Sequence, residues 1–553
     1  MNLLRWIRPG IAGFFVMLFV VINGSTLFPE TDIMLIMAAG LVSLGVTVFA
    51  LYKVLPPKKK DISVQDKEYR PNFLFSLAVG TVTIMIFSQS SPLYPFNNWV
   101  DPNCFFTVGA SVLKGLVPYR DLYEQKGPLL YFIHTLAALL SRDTFFGMFV
   151  IQVICCSFVH YFAMKTAALY TSVNRTGMLC SIPLMFLSYS VLSYYFGDSA
   201  EELLFPFYSA AIYITISSIR KNKYPGIKDI ILLGAGGAFA FWIKYTLCGY
   251  YLAVIIFLIV FGIRRKQYKK VLLSAIWFAV TCIAVSIPIL IYFLANNALD
   301  DLFTAYFYNN IFLYGDVAEV IPLSGRIPYT LTFTIIRLGR NIYMAVMIFL
   351  SAVILMIHGK KGELPFYIGA FSVTCLFIFM GSFQGFYYPF ALAVFTLPAW
   401  TCVFNLASKI KRIPVISVIC LGLSIIAFLQ SPSTPGLFKK KENMPQYIFS
   451  GYINSSDSPT LLNYGFLDQG FYTVAGVTPT ERYFCGLNID LVFEEAFDAK
   501  EEAIAEGRVE FIVTKNHEYA WENYELITYA DWTEQDFDNE SGTDRFYLYR
   551  RID

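Results

Sequence analysis

"WVDPNCFFTVGASVLKGLVPYRDLYEQKGPLLYF", residues 99–132, decides how this chain is read. It gathers Asp101, Lys114, Arg120, Asp121, Glu124 and Lys126 within a few turns, in a protein that is otherwise 56% hydrophobic. Pro118 and the Gly127-Pro128 pair break the backbone on either side of "YRDLYEQK", which marks a folded loop rather than a tail. The segment from Phe105 to Leu116 alternates aromatic and small residues around one lysine, the pattern of an amphipathic helix on a membrane surface. Solvation alone would require only polarity. Here carboxylates and cations mix with Tyr119, Tyr123 and Tyr131, the combination expected where a polar ligand meets a lipid-facing wall. Interfacial anchoring uses the same residue types, so the rest of the chain has to discriminate.

Working outward, 553 residues with 15% charged, 17% aromatic and a mean hydropathy of +0.55 carry too much apolar surface for one soluble core. The composition is that of an α-helical polytopic membrane protein. A net charge of +2 gives no reason to expect a nucleic-acid partner. Ten cysteines are scattered, and the adjacent pair Cys155 and Cys156 is not spaced for zinc or redox work. The first apolar run follows Arg5 and Arg8 but lacks a small-residue cleavage site, so it reads as a retained helix.

Runs long enough to cross the hydrocarbon layer are read at 11–29, 33–52, 72–90, 144–168, 176–194, 203–219, 228–243, 248–263, 271–294, 341–357, 364–381, 386–405 and 413–430, thirteen in all. The run from Pro128 to Leu140 is short, a half-helix or a tilted one. If it does not cross, one topology puts the N-terminus, "KVLPPKKK", "IRKNK", "IRRKQYKK", "HGKKG" and "KIKR" all in the cytoplasm. The opening loop and the tail then fall outside. The rival topology lets the short run cross and moves Arg175. After Gln430, "SPSTPG" reads as a linker dividing a membrane module, 1–430, from an α/β domain, 431–553. In that domain "TLLNYGF", "VEFIVTK", "YELITYA" and "RFYLYRR" read as strands and "LVFEEAFDAKEEAIAEG" as an amphipathic helix ended by glycine.

Further outer features bear on the loop. "GDSAEELLFPF" places Asp198, Glu201 and Glu202 where a span begins, as a second acidic site or as charges complementing the helix dipole. Lys244 in "FAFWIKYTLCGYY" is one cation between two spans, on the side opposite the basic loops, and requires an anionic partner such as a lipid-linked phosphate. Tyr387 and Tyr388 in "QGFYYPF" either stack on a sugar or belong to an aromatic belt. "GAGGAF" at Gly234 reads as close helix packing. The histidines His134, His160, His358 and His517 are isolated in sequence and suggest no triad.

The stretch "DPNCFFTVGASVLKGLVPYRDLYEQKGPLLYF", with the second acidic loop, the lysine between spans and a terminal domain, resembles the polyprenyl-phosphate-dependent glycosyltransferases of the GT-C fold. The likeness is particularly to the bacterial relatives of protein O-mannosyltransferases and of the lipid A aminoarabinose transferase. It departs from them in carrying Gly127-Pro128 where relatives usually have two prolines. The resemblance implies a GT-C module of about 13 transmembrane helices in the bacterial cytoplasmic membrane, its terminal domain outside. It implies an inverting transfer of sugar from polyprenyl phosphate to an extracytoplasmic glycan, lipid or protein. Asp101 would be the general base on the acceptor hydroxyl, and Lys126 and Lys244 would bind the donor phosphate; Arg120, on the chemistry of its guanidinium and not on the resemblance, adds a bidentate phosphate contact. Asp198, Glu201, Glu202, Asp121 and Glu124 would supply the acceptor or second acidic site, and Tyr387 and Tyr388 would stack on sugar. No cofactor is expected, with a divalent metal the alternative left open. The competing class is a lipid-linked saccharide flippase without catalysis, whose charges should instead lie near mid-membrane.

Overall fold

The computed structural model describes residues 3–27, 33–54, 70–313, 323–379, 385–410, 412–489, 493–533 and 542–552. The apolar runs are helical, because in lipid only a helix or a closed barrel pairs every backbone N–H and C=O. A hairpin of α1 (Leu3–Leu27) and α2 (Ile33–Val54) is followed by α3 (Phe73–Phe87), α4 (Val100–Val112) and α5 (Pro128–Ala138). The body continues through α6 (Phe146–Ala168), α7 (Arg175–Tyr189), α8 (Ala200–Arg220), α9 (Ile227–Ile243), α10 (Cys248–Arg264) and α11 (Tyr268–Ala295). A short α12 (Leu299–Leu302) runs into a π-helical segment, Phe303–Leu313, and then come α13 (Leu323–Gly339), α14 (Ile342–His358) and α15 (Glu363–Phe379). A 3₁₀ segment, Tyr388–Ala399, leads into α16 (Trp400–Lys409), and α17 (Ile413–Gln430) ends the helical body.

α8 is buried along nearly its whole length, whereas α11 and α17 turn most of their surface outward, as lipid-facing helices do. "GAGGAF" packs as expected: a Cβ on Gly236 would fall 1.9 Å from the Tyr251 hydroxyl. Among the described residues, six helical stretches are long and apolar enough to cross a membrane, and the α13–α14 pair, bent by 113°, would add a seventh. The expected count of thirteen is not confirmed among the described residues, where five further apolar helices are shorter than a full span; in two runs hydropathy continues past a point where the backbone turns. The run read at 72–90 ends as a helix at Phe87, where the Ser88 N–H caps the Ile84 carbonyl, and the chain then folds back as buried turns. The run at 176–194 stops at Tyr189 for a similar turn. α5 has 11 residues, about 16 Å of helix at 1.5 Å per residue, half the hydrocarbon thickness.

The chain beyond Gln430 forms α18 (Pro445–Ile453), β1 (Leu461–Tyr464), α19 (Phe471–Ala475), α20 (Glu494–Ala505), β2 (Phe511–Lys515), β3 (Tyr524–Thr533) and β4 (Thr543–Arg551). The sheet order is β1-β2-β4-β3, with β1 and β2 parallel across α20 and the other pairs antiparallel. All four strands and the helix read from the sequence are present. α20 ends as expected, with Gly507 at φ +65° in the left-handed region that terminates helices.

Two expectations are corrected. "SPSTPG" is not a free linker: Ser433 is buried, and its hydroxyl donates to the Phe87 carbonyl at 2.7 Å and the Tyr195 carbonyl at 3.0 Å. Nor is the segment from Phe105 a membrane-surface helix. α4 begins at Val100 and is buried on nearly all sides, packed on α5 and covered by the C-terminal sheet region. The cover is fastened by Thr107, whose hydroxyl donates to Asp468 Oδ2 at 2.7 Å, while Asn463 Nδ2 and the Gly470 N–H donate to Oδ1 at 3.0 and 2.9 Å.

Burial raises the Asp468 carboxyl to about 6 despite these donors. A carboxyl raised on folding binds protons more tightly in the folded state, so its favourable contribution is complete below about pH 4 and is lost as pH rises through about 6. Thermal unfolding between pH 5 and pH 8 should show the wild type losing on the order of 1 kcal/mol. Asp468→Asn, which mimics the protonated carboxyl, should flatten that dependence; an unchanged slope in the variant would exclude Asp468 as its source.

Candidate functional site

The site is set by a contact between two backbones. Gly127 donates its N–H to the Ile243 carbonyl at 3.0 Å, and a Cβ on Gly127 would lie 2.0 Å from the Trp242 carbonyl oxygen. Only a glycine lets the turn ahead of α5 lie directly on the end of α9. Pro128 then starts α5 at a position where its missing N–H costs nothing. The neighbours of the two bonded residues are Lys126 and Lys244, so this hydrogen bond brings together lysines far apart in the chain.

Lys244 occupies a break. Its backbone is extended (φ −162°, ψ 101°) between α9 and a 3₁₀ turn, Tyr245–Leu247. Tyr306 holds the break open by accepting from the Tyr245 N–H at 3.0 Å and donating to the Phe241 carbonyl at 2.5 Å. The nearly buried Lys244 ammonium donates to Glu201 Oε1 at 2.7 Å and lies over the Tyr388 ring, 3.5 Å from its centroid, and 5.1 Å from that of Tyr387. Glu201, Lys126 and Asp101 all lie near enough to act electrostatically on this ammonium. The same three act on Tyr388.

Asp101 sits in the first turn of α4, half-buried, and makes no hydrogen bond or ion pair among the described residues. The preceding Trp99 packs edge-on against Tyr387 at 4.9 Å and Tyr195 at 5.5 Å. Lys126 is also half-buried, its ammonium 5.6 Å from the Phe105 ring centroid. Its backbone is fixed on both sides: the N–H donates to Glu124 Oε2 at 2.8 Å and the Tyr131 hydroxyl at 2.9 Å, and the carbonyl accepts from the Tyr119 hydroxyl at 2.7 Å. Tyr131 also donates to Glu124. Glu124 thus shapes the loop that carries Lys126.

The three acids before α8 diverge. Ser199 caps the helix, its Oγ accepting from the Glu202 N–H at 3.1 Å. Glu202 is buried under the loop, where Oε2 accepts from Gln152 at 2.8 Å and the Asp198 N–H at 2.7 Å, and Oε1 from Tyr194 at 3.0 Å. Asp198, at φ +71°, turns inward to His134 Nε2 at 3.2 Å, both side chains fully buried. Only Glu201 reaches Lys244. His134 is therefore not isolated, and His160 also has partners, Ser76 and Ser181 at 2.9 Å each. No sequence signal could have paired His134 with a residue 64 positions away.

Arg120 and Asp121 lie apart from this group. The Arg120 guanidinium grips Asp121 through Nε and Nη2 at 2.8 Å each and donates from Nη1 to the Asn296 carbonyl at 2.6 Å. That pairing holds the Asp121 carboxyl below the usual carboxylate range. Among the described residues no group of three or more His, Cys, Asp or Glu converges to hold a metal. Gln384, beside the two tyrosines in sequence, falls outside the described residues.

Residues 125–293 match the family model of dolichyl-phosphate-mannose-protein mannosyltransferase. No curated protein matches the chain. Among solved structures, it is similar to ArnT from Cupriavidus metallidurans bound to undecaprenyl phosphate, with a TM-score of 0.57 at 9% identity, over 86% of this chain and 97% of that one. The apo state of the same ArnT gives a TM-score of 0.50 at 10% identity, with the same coverage. The GT-C fold expected from the first loop is thus present, and with its long apolar helices the chain is a multi-pass membrane protein.

Replacing Gly127 tests the contact on which the site is built. Gly127→Ala forces a methyl against the Trp242 carbonyl, so the turn must lift from α9. Loss of the backbone hydrogen bond and repacking should destabilise by about 1–3 kcal/mol, read as a fall of several degrees in Tm. An unchanged Tm would show that the turn does not depend on this approach.

Proposed function

We propose that this protein is a membrane glycosyltransferase that moves a sugar from a polyprenyl-phosphate carrier to an acceptor hydroxyl on the outer side of the cytoplasmic membrane. The observation that carries the reading is the convergence on Lys244 of a second cation, Lys126, and an unpaired carboxylate, Asp101, walled by Trp99, Tyr387 and Tyr388. The family match over residues 125–293 and the fold shared with ArnT, a protein crystallised with undecaprenyl phosphate, support the lipid-linked donor. In this reading the C-terminal domain, residues 431–553, lies outside and covers α4.

In the reaction an acceptor oxygen attacks the anomeric carbon as the bond from that carbon to the phosphate oxygen breaks, inverting the centre. Asp101 takes the acceptor's proton. Its unpaired oxygens suit it to that task, since a general base needs a free lone pair within reach of the hydroxyl. The leaving polyprenyl phosphate gains negative charge as the bond breaks, and Lys126 and Lys244 offset it. Fixed cations in a poorly solvated site stabilise developing charge more than charge already present in the bound donor. An ammonium has three N–H donors; Glu201 takes one from Lys244, leaving others for phosphate oxygens. Glu201 orients Lys244, and Tyr387 and Tyr388 form the wall against which the sugar rests. Arg120 and Asp121, bound to each other, and Asp198, Glu202 and Glu124, committed to the scaffold, take no part at the reacting atoms. No metal is assigned, and EDTA should leave turnover unchanged.

Purified protein incubated with polyprenyl-phosphate sugar should release polyprenyl phosphate. Asp101→Asn should lower kcat by about 10²–10⁴ with donor binding and Tm retained, and Lys126→Ala should lower kcat more than it raises KM for the donor. Equal turnover in the Asp101 variant would remove the carboxylate from the mechanism. Movement of lipid across vesicles with no release from any donor would establish a flippase instead.

A further inference from the structure

On the outer side of the Arg120 turn an open groove of about 630 Å³ separates the loop after α4 from the C-terminal domain. Its charged walls are Lys114, Arg120 and Arg482 against the single carboxylate of Asp121, with Thr478 and Thr480 adding hydroxyls. The walls are braced. The Tyr123 N–H donates to the Arg482 carbonyl at 2.8 Å, and Arg482 Nε donates to the Tyr119 carbonyl at 3.1 Å. Asp301 and Glu495, each 3.5 Å from an Arg482 nitrogen, hold that guanidinium. Asp121 Oδ2 accepts from the Val117 N–H at 2.7 Å, closing the turn.

The turn itself is strained. Tyr119 is fully buried with φ +71°, a left-handed conformation costly for a bulky residue, on the order of 1–3 kcal/mol. That conformation sends the Tyr119 hydroxyl down to the Lys126 carbonyl while the next residue, Arg120, faces the groove. A single turn thus joins the groove to the loop that places the donor cation. By contrast, Lys114, Thr478 and Thr480 make no side-chain hydrogen bond or ion pair among the described residues, so the groove offers donors that nothing in the chain uses.

We infer that this groove binds an anionic saccharide, carrying carboxylate or phosphate groups, as the portion of the acceptor beside the hydroxyl that is glycosylated. The inference deepens the transferase reading and rests on it. The unused donors of Lys114, Thr478 and Thr480 suit carboxylate or phosphate oxygens and sugar hydroxyls, and the two guanidinium groups, braced by their own partners, fix the walls on either side. The C-terminal domain then acts as one wall of the acceptor site.

The test uses the full chain in nanodiscs of neutral lipid and isothermal titration with trigalacturonate, glucose 6-phosphate and neutral galactotriose. Binding is expected for the two anions and not for galactotriose. Lys114→Glu, at an exposed position with no partner, should weaken the anions at least tenfold without changing Tm, whereas Asp101→Asn should bind them as the wild type does. Equal affinity in Lys114→Glu, equal binding of galactotriose or no binding at millimolar sugar would overturn the assignment. So would loss of sugar binding when phosphatidylglycerol is added to the nanodiscs, since the groove would then take a lipid headgroup. If donor cleavage proceeds while the anions fail to bind, the groove alone is refuted. If the anions bind but no donor is cleaved, the transferase reading fails and the groove stands.

Discussion

The contact between the Gly127 N–H and the Ile243 carbonyl carries the rest of the site. Two backbones approach so closely that no side chain fits between them, and each continues directly into a lysine. Placing two ammonium groups near each other in a poorly hydrated region is unfavourable unless anions balance them. The protein supplies one, Glu201, held at 2.7 Å from Lys244. Asp101 lies within electrostatic range but makes no ion pair among the described residues. An ammonium has three N–H donors, and Glu201 takes one of those of Lys244; in the proposed reaction a phosphate oxygen at the end of a lipid meets another.

The surroundings of this group are held by interactions that leave the reacting atoms alone. Glu202, Asp198 and His134 form a buried network beneath the loop ahead of α8, so that two acids stiffen the turn while the third is directed at Lys244. Glu124, Tyr119 and Tyr131 perform a parallel task for Lys126. Above them the C-terminal domain closes over α4 through Thr107 and Asp468.

Much of this was legible in the sequence because its causes are local. Charges in an apolar chain, proline and glycine breaks, and a lone lysine between two apolar runs marked the loop, the α8 acids and Lys244 before any coordinates. Short apolar stretches such as "VEFIVTK" and "RFYLYRR" marked the strands. What could not be read depends on distant partners. The burial of α4 needs the sheet region hundreds of residues later, and an amphipathic pattern looks the same whether its second face meets lipid or protein. The serines of "SPSTPG" look like a linker until Phe87 and Tyr195 present carbonyls to one of them. Asp198, Glu201 and Glu202 look equivalent in a row, and only the left-handed backbone at Asp198 and the partners His134, Gln152 and Lys244 separate their tasks. Helix ends are hidden for the same reason, since hydropathy does not show where a capped helix stops inside an apolar run.

The most direct measurement of the central claim is a cryo-electron microscopy structure of the full chain in nanodiscs loaded with polyprenyl phosphate. The phosphate should lie between Lys126 and Lys244, each ammonium within salt-bridge distance of a phosphate oxygen, with Asp101 facing the side from which an acceptor would approach. A phosphate bound elsewhere in the bundle, or touching neither lysine, would contradict it.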